Sequence, residues 1–224
     1  MVYYNIKTSW DPKIIGVKNG IYQVELLEKK YTKEYLVQFN KYFHSELLLD
    51  NSLPPFDIVF HFQKLKLARL TDVISFSPYL NYCHFILNDK AIRCLERFNV
   101  QNYHLLPVVI YDEHGKETDT NYKMFFCKLM DWNIIDFKNT VFSTGGYGNF
   151  EIQYHTFINY EDYKKFNKIT KVTKLGLNKE FDNSLDFFCT RLGGIFISNA
   201  LKNEFLENNI TGLDVDIPKE VELQ

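Results

Sequence analysis

The chain has 224 residues, 46% of them hydrophobic and 24% charged, with a formal net charge of −2. That composition is globular rather than disordered, and the length suits one large domain or two small halves sharing a core. The slightly acidic balance gives no electrostatic support for duplex binding, so no nucleic-acid partner is expected.

In chain order, residues 3–7 read as a short strand ended by a turn at Asp11-Pro12. Asn19-Gly20 marks a second turn, leading into a strand over 21–27. From Thr32 the period changes: Tyr35, Leu36, Phe39, Tyr42 and Phe43 recur on one face of a helix. Pro54-Pro55 closes this portion, dividing the chain into an N-terminal strand and helix region, 1–57, and an α+β region, 58–224, that can be continuous with it. Ile58, Phe60 and Phe62 alternate with Val59, His61 and Gln63, as a strand with one aromatic face does. A short helix is expected over 67–74. Residues 105–111 form a strand carrying Pro107, and the turn Asp112-Glu113-His114-Gly115 joins it to a strand over 122–130 as a hairpin. A strand over 150–157, a short polar helix over 161–167, and strands over 185–189 and 194–197 follow. No regular βαβ rhythm appears, so the expected class is α+β, with a mixed, largely antiparallel sheet and capped amphipathic helices.

Two segments, 85–100 and 195–210, share one grammar at an offset of 110, which pairs Asn88 with Ser198. Each has a strand, an N-cap residue whose side chain accepts from an orphan backbone N–H, and an apolar stripe. The stripes are Ala91, Ile92, Leu95 and Phe98 in one, and Leu201, Phe205 and Leu206 in the other. Leu87 and Ile92 occupy the positions of a hydrophobic staple, whereas Lys202 stands at the equivalent place in the second segment. Asn99 and Asn209 suit a left-handed residue ending each helix, with Val100 and Ile210 folding back. A strand-helix-strand repeat and convergence on common helix grammar are both open.

No constellation carries recognisable catalytic, cofactor or metal chemistry. His44, His61, His84, His104, His114 and His155 are dispersed, and the neighbours Cys83 and His84 would point to opposite faces of a strand. Cys83, Cys94, Cys127 and Cys189 form no CxxC pair and are expected as buried free thiols. The glycine-rich stretch Ser143-Thr144-Gly145-Gly146-Tyr147-Gly148 precedes a strand rather than a helix, so it reads as a turn, with Tyr147 a contact residue if exposed. Asp112, Glu113, Glu117 and Asp119 sit in a polar turn and are expected to be solvated. Asn209-Ile210-Thr211 fits a glycosylation sequon, without a secretory signal to give it meaning. The acidic tail of Asp214, Asp216, Glu220 and Glu222 reads as a solvated terminal strand with a frayed end, or as a complement to a basic partner. The first residues lack a basic region followed by an apolar one, and the longest apolar run falls far short of the ~20 residues a membrane helix needs. A cytoplasmic protein with no membrane partner is the expectation.

Phe196-Ile197-Ser198, the helix with Leu201-Lys202, then Asn209-Ile210-Thr211-Gly212-Leu213 and a short strand to Pro218 resemble the end of immunity family eleven of the bacterial polymorphic toxin systems. Leu70-Thr71-Asp72-Val73-Ile74, the capped helix after Asn88, Leu106-Pro107-Val108-Val109, the strand over 122–129, and Asp136 before Phe142-Ser143 extend the resemblance over residues 67–218. The resemblance implies a cytoplasmic α+β protein that binds and neutralises a cognate toxin without catalysis or cofactor. It carries over no site residues, so the partner-binding surface is unassigned. An enzyme whose site is assembled from distant residues, and an adaptor protein, are the alternatives.

Overall fold

The architecture follows from which face of each strand is apolar. The computed structural model describes residues 2–18, 22–44, 56–118, 121–145, 151–166, 168, 170–219 and 221–223, without the side chains of 216–219 and 222–223. Along it run β1 (Tyr3–Thr8), α1 (Pro12–Ile15), β2 (Val24–Leu26), α2 (Lys33–Phe43), β3 (Phe60–Lys64), β4 (Val73–Ile74), β5 (Phe76–Ser77), β6 (Cys83–Asn88), α3 (Asp89–Leu95) and β7 (Tyr103–Tyr111). Then come β8 (Tyr122–Cys127), β9 (Val141–Thr144), β10 (Gln153–His155), α4 (Tyr160–Lys165), β11 (Lys171–Leu177), β12 (Phe187–Cys189), β13 (Ile195–Ser198), α5 (Asn199–Glu207), β14 (Leu213–Lys219) and β15 (Val221–Leu223). The class is α+β. Most strand pairs are antiparallel, and β2–β5, β3–β7 and β11–β15 are parallel.

Seven strands form one sheet in the order β4-β6-β8-β7-β3-β2-β5. Its edge strands β4 and β5 are separated in sequence by Ser75 alone, so the sheet curls almost to closure. Phe60 and Phe62 of β3 and Met124 and Phe126 of β8 fill the interior, joined by Phe39, Tyr42 and Phe43 of α2. A fully buried Gln23 clasps the seam. Its Oε1 accepts from the backbone N–H and hydroxyl of Ser75 at 3.1 and 3.2 Å. Its Nε2 donates to the Arg69 carbonyl at 2.6 Å and to the Thr71 hydroxyl at 2.8 Å.

A second sheet, β12-β13-β1-β14, is covered on both faces. Ile6, Phe187, Cys189 and Ile197 pack with α3, α5 and the outer face of β8, namely Phe125 and Cys127. Tyr3, Phe188 and Phe196 point the other way, onto Phe142 and Leu175 of the third sheet, β10-β9-β11-β15. Burial on both faces is why 187–189 and 195–197 are unbroken apolar runs rather than alternating ones.

The repeat is present, and it is larger than the shared helix grammar. In the first unit Val73 pairs with Leu87 and Ile74 with Ile86; in the second Phe187 pairs with Ile197 and Phe188 with Phe196. Asn88 lies opposite Tyr122, and Ser198 opposite Tyr3. The Tyr122 hydroxyl donates to the Thr71 carbonyl at 2.8 Å, and that of Tyr3 to the Leu185 carbonyl at 3.0 Å. Asp72 and Asp186, the residues that follow those carbonyls, accept from the N-cap side chains of Asn88 (2.9 Å) and Ser198 (2.6 Å). Each aspartate also takes a backbone N–H from beyond the other unit's helix: Thr211 donates to Asp72 at 2.8 Å, and Asn99 to Asp186 at 3.1 Å. Burial, and then the charge of the nearby aspartate, raises both phenols, Tyr3 to about 12. Pro107 opposite Lys123 matches Pro218 opposite Tyr4. The first unit is contiguous, β4-β6-α3-β7-β8, whereas the second borrows β1 from the N-terminus as its middle strand. An N-terminal strand so placed is invisible to a search for a linear repeat.

Several expectations require correction. Residues 67–74 hold no helix, because their backbone groups bond to distant partners: the Arg69 N–H donates to Ile15 and that of Val73 to Thr211. Leu67 is left-handed, with φ 67°. The Asp11-Pro12 turn is a one-turn helix, α1, capped by Asp11. Asn99 is not left-handed; α3 ends earlier, at Leu95, and Val100 bridges to Phe187. Asn209 does end α5 with φ 49°, and the Ile210 N–H returns to the Phe205 carbonyl at 2.9 Å. Leu206 is 62% exposed and leaves the second stripe to Leu201 and Phe205. Residues 213–219 and 221–223 are paired strands, β14 with β1 and β15 with β11. The Asn19-Gly20 turn, the Pro54-Pro55 loop, Tyr147, Asp119 and Glu220 lie outside the described residues.

Candidate functional site

Where the seam of the curled sheet meets the central sheet, a cleft of about 770 Å³ opens. Its walls come from both repeat units. The connection from β4 through β5 to β6 gives Ser75, Ser77 and Tyr79, and the turn from β12 to β13 gives Thr190, Arg191 and Gly194. Asn5, Lys7 and Thr8 of β1 and Cys83 and His84 of β6 are also in its lining.

Arg191 dominates its electrostatics. Only 11% of the side chain is exposed, and its nearest carboxylate, Asp131, lies 3.6 Å from Nη2 on a side chain that is 65% exposed. The Arg191 Nε is buried and has no hydrogen-bond partner. Arginine remains charged at all working pH values, so a buried guanidinium with an unused donor is costly until an acceptor meets it. Lys7 is also in the wall, opposite Asp214 in the β1–β14 register.

The nucleophile-type groups here are chemically quiet. His84 bonds through Nε2 to the Cys127 carbonyl at 2.8 Å. Packing around the ring desolvates it and holds its pKa at about 4, the hydrogen bond offsetting this in part, so it is neutral at pH 7. Burial pushes the Cys83 thiol well above its ordinary range, which leaves it protonated and unreactive. All four cysteines are buried and free.

The other residues weighed from sequence stay apart. The His61 Nδ1 meets the Tyr111 hydroxyl at 3.2 Å, and the His155 Nε2 meets Thr144 Oγ1 at 3.0 Å. No group of three or more His, Cys, Asp or Glu positioned for a metal occurs among the described residues. Asp112 shapes its own turn by accepting from the His114 and Lys116 N–H groups, each at 2.9 Å. Thr211 of the sequon is committed to Asp72. Ser143 and Thr144 belong to β9, and 146–148 of the glycine-rich stretch lie outside the described residues. Arg191 escaped sequence reading; its signal is an arginine two residues before Gly193-Gly194 in the five-residue connection between two strands buried on both faces.

No protein-family model matches the chain, and a search of the curated proteins finds no match. No helix of the described residues is long and apolar enough to cross a membrane.

Proposed function

We propose that this chain is a non-catalytic binding protein of the immunity type, which neutralises a bacterial toxin by occupying its active surface in the cytoplasm. The observation that carries the reading is the convergence of the segments that resemble immunity family eleven. Asp72 of the first segment accepts from Asn88 at the start of the second and from Thr211 of the last. Lys90 of the capped helix reaches both Asp72 (3.4 Å) and the Asn209 carbonyl (3.0 Å). Segments far apart in sequence thus meet in one structural device. A cleft with Arg191 and the exposed Tyr79 in its wall supports binding, because arginine and aromatic side chains concentrate the energy of protein interfaces. The protonated Cys83 and the neutral, engaged His84 weigh against the alternative of covalent or acid-base chemistry in the same cleft.

The test is co-expression with the product of the neighbouring open reading frame. Protection of the cells, with the two chains co-purifying, is expected. A product that is toxic alone and equally toxic beside this protein overturns the proposal.

A further inference from the structure

We infer that the cleft receives an acidic segment of the partner protein, with one of its carboxylates seated on Arg191; this rests on the binding function proposed above. The guanidinium presents a rigid fork of donors; its Nε is enclosed by the protein, so an incoming carboxylate meets the terminal nitrogens, of which Nη2 has only the long contact to Asp131. A carboxylate supplies two acceptors in the matching geometry. Asp131 cannot play that part fully: its oxygen stands 3.6 Å from one terminal nitrogen, and its side chain is 65% exposed and screened by water. It acts as a displaceable competitor.

The surroundings favour a segment over a lone ion. The cleft holds about 770 Å³, room for several side chains. Thr8, Ser75 and Ser77 bring hydroxyls to the wall. Tyr79, 69% exposed, stands at the cleft as an aromatic surface for the apolar part of an incoming chain. The location is also consistent with a docking site, because the walls are the corresponding hairpin connections of the two repeat units. The arginine stands in the connection of the second unit.

Calorimetric titration of the full chain with capped tetraglutamate, and with capped tetraglutamine as control, tests this, and amide chemical shifts locate the binding. Tetraglutamate should bind and perturb residues around Arg191 and Lys7, while tetraglutamine should not. Arg191→Met should weaken binding by roughly tenfold or more, the scale of a charge-assisted hydrogen bond. Arg191→Lys should fall between, since it keeps the charge without the fork. Asp131→Asn should tighten binding by removing the competitor. Equal binding of the two peptides, or unchanged affinity in a folded Arg191→Met variant, overturns the inference. So does glutarate or inorganic phosphate binding as tightly as the peptide, which makes the cleft a small-anion site. If Arg191→Met does not fold, the opposite shifts expected of Arg191→Lys and Asp131→Asn still decide it. Loss of peptide binding with toxin protection intact rejects this site alone; absence of protection with peptide binding intact rejects the function.

Discussion

Asp72 and Thr211, 139 residues apart, share three hydrogen bonds: the Thr211 N–H and hydroxyl both donate to Asp72 Oδ2 at 2.8 Å, and the Asp72 N–H donates back to Thr211 Oγ1 at 3.1 Å. Asp72 also holds the N-cap Asn88, so one carboxylate joins the edge of the curled sheet, the start of α3 and the exit from α5. Burial alone would raise its pKa. The bonds from Asn88 and Thr211, helped by the Lys90 charge, outweigh that and hold it below the ordinary 3.8. Asp72→Asn turns an amide N–H₂ towards these donors and should cost about 1–3 kcal/mol in a denaturant titration. The wild-type stabilisation is present above the unfolded-state pKa and lost as pH falls through the lower folded value. The variant should therefore lose less stability below about pH 4.

Gln23 closes the seam with four hydrogen bonds in a fully buried position. Gln23→Leu leaves the Ser75 N–H and the Arg69 carbonyl without that partner, and should destabilise the chain by about 3 kcal/mol or more. A thermal melt checks this, and a loss under about 1 kcal/mol would show the seam to be held by other contacts.

Equivalent positions in the two units should respond alike. Tyr3→Phe and Tyr122→Phe each orphan one carbonyl, that of Leu185 or Thr71, and each should cost about 1 kcal/mol. A wide difference between them, measured by chemical denaturation, would mean that the shared geometry does not carry shared energetics.

Two left-handed glycines should separate sharply. At Gly212, with φ 89°, an added Cβ would meet the Val73 carbonyl oxygen at 2.0 Å, beside the Asp72 clasp. At Gly115, with φ 82°, nothing stands within 4 Å. Gly115→Ala should cost only the left-handed strain of about 1–2 kcal/mol, whereas Gly212→Ala should cost clearly more and displace β14 from β1.

Much of this was legible wherever local chemistry decides local structure. The N-caps Asn88 and Ser198 accept from Ala91 and Leu201 as their side chains dictate, at 3.0 and 3.2 Å. The aromatic alternation of Phe60 and Phe62 placed both in the core. What stayed hidden depends on distant pairing. Residues 67–74 carry apolar spacing compatible with a helix, yet their backbone groups are claimed by Ile15 and Thr211. The repeat could be traced only through its helices, because β1, the middle strand of the second unit, stands at the other end of the chain. Arg191 reads as an ordinary turn residue until burial shows that its Nε has no acceptor.

His84 gives a pH signature of the cleft itself. With its pKa held at about 4 in the fold and near 6.5 when unfolded, the unfolded chain binds the extra proton between those values. Stability should therefore be complete above about pH 6.5 and decline as pH falls towards 4. In His84→Gln the slope across that window should flatten.

The proposed action by occupancy rather than turnover is tested most directly by titrating purified protein into a fixed amount of the toxin that the proposal calls for and measuring residual toxin activity. The account predicts a linear fall that breaks near one equivalent and does not deepen with longer incubation. Complete inactivation by a small fraction of an equivalent, growing with time, would contradict it.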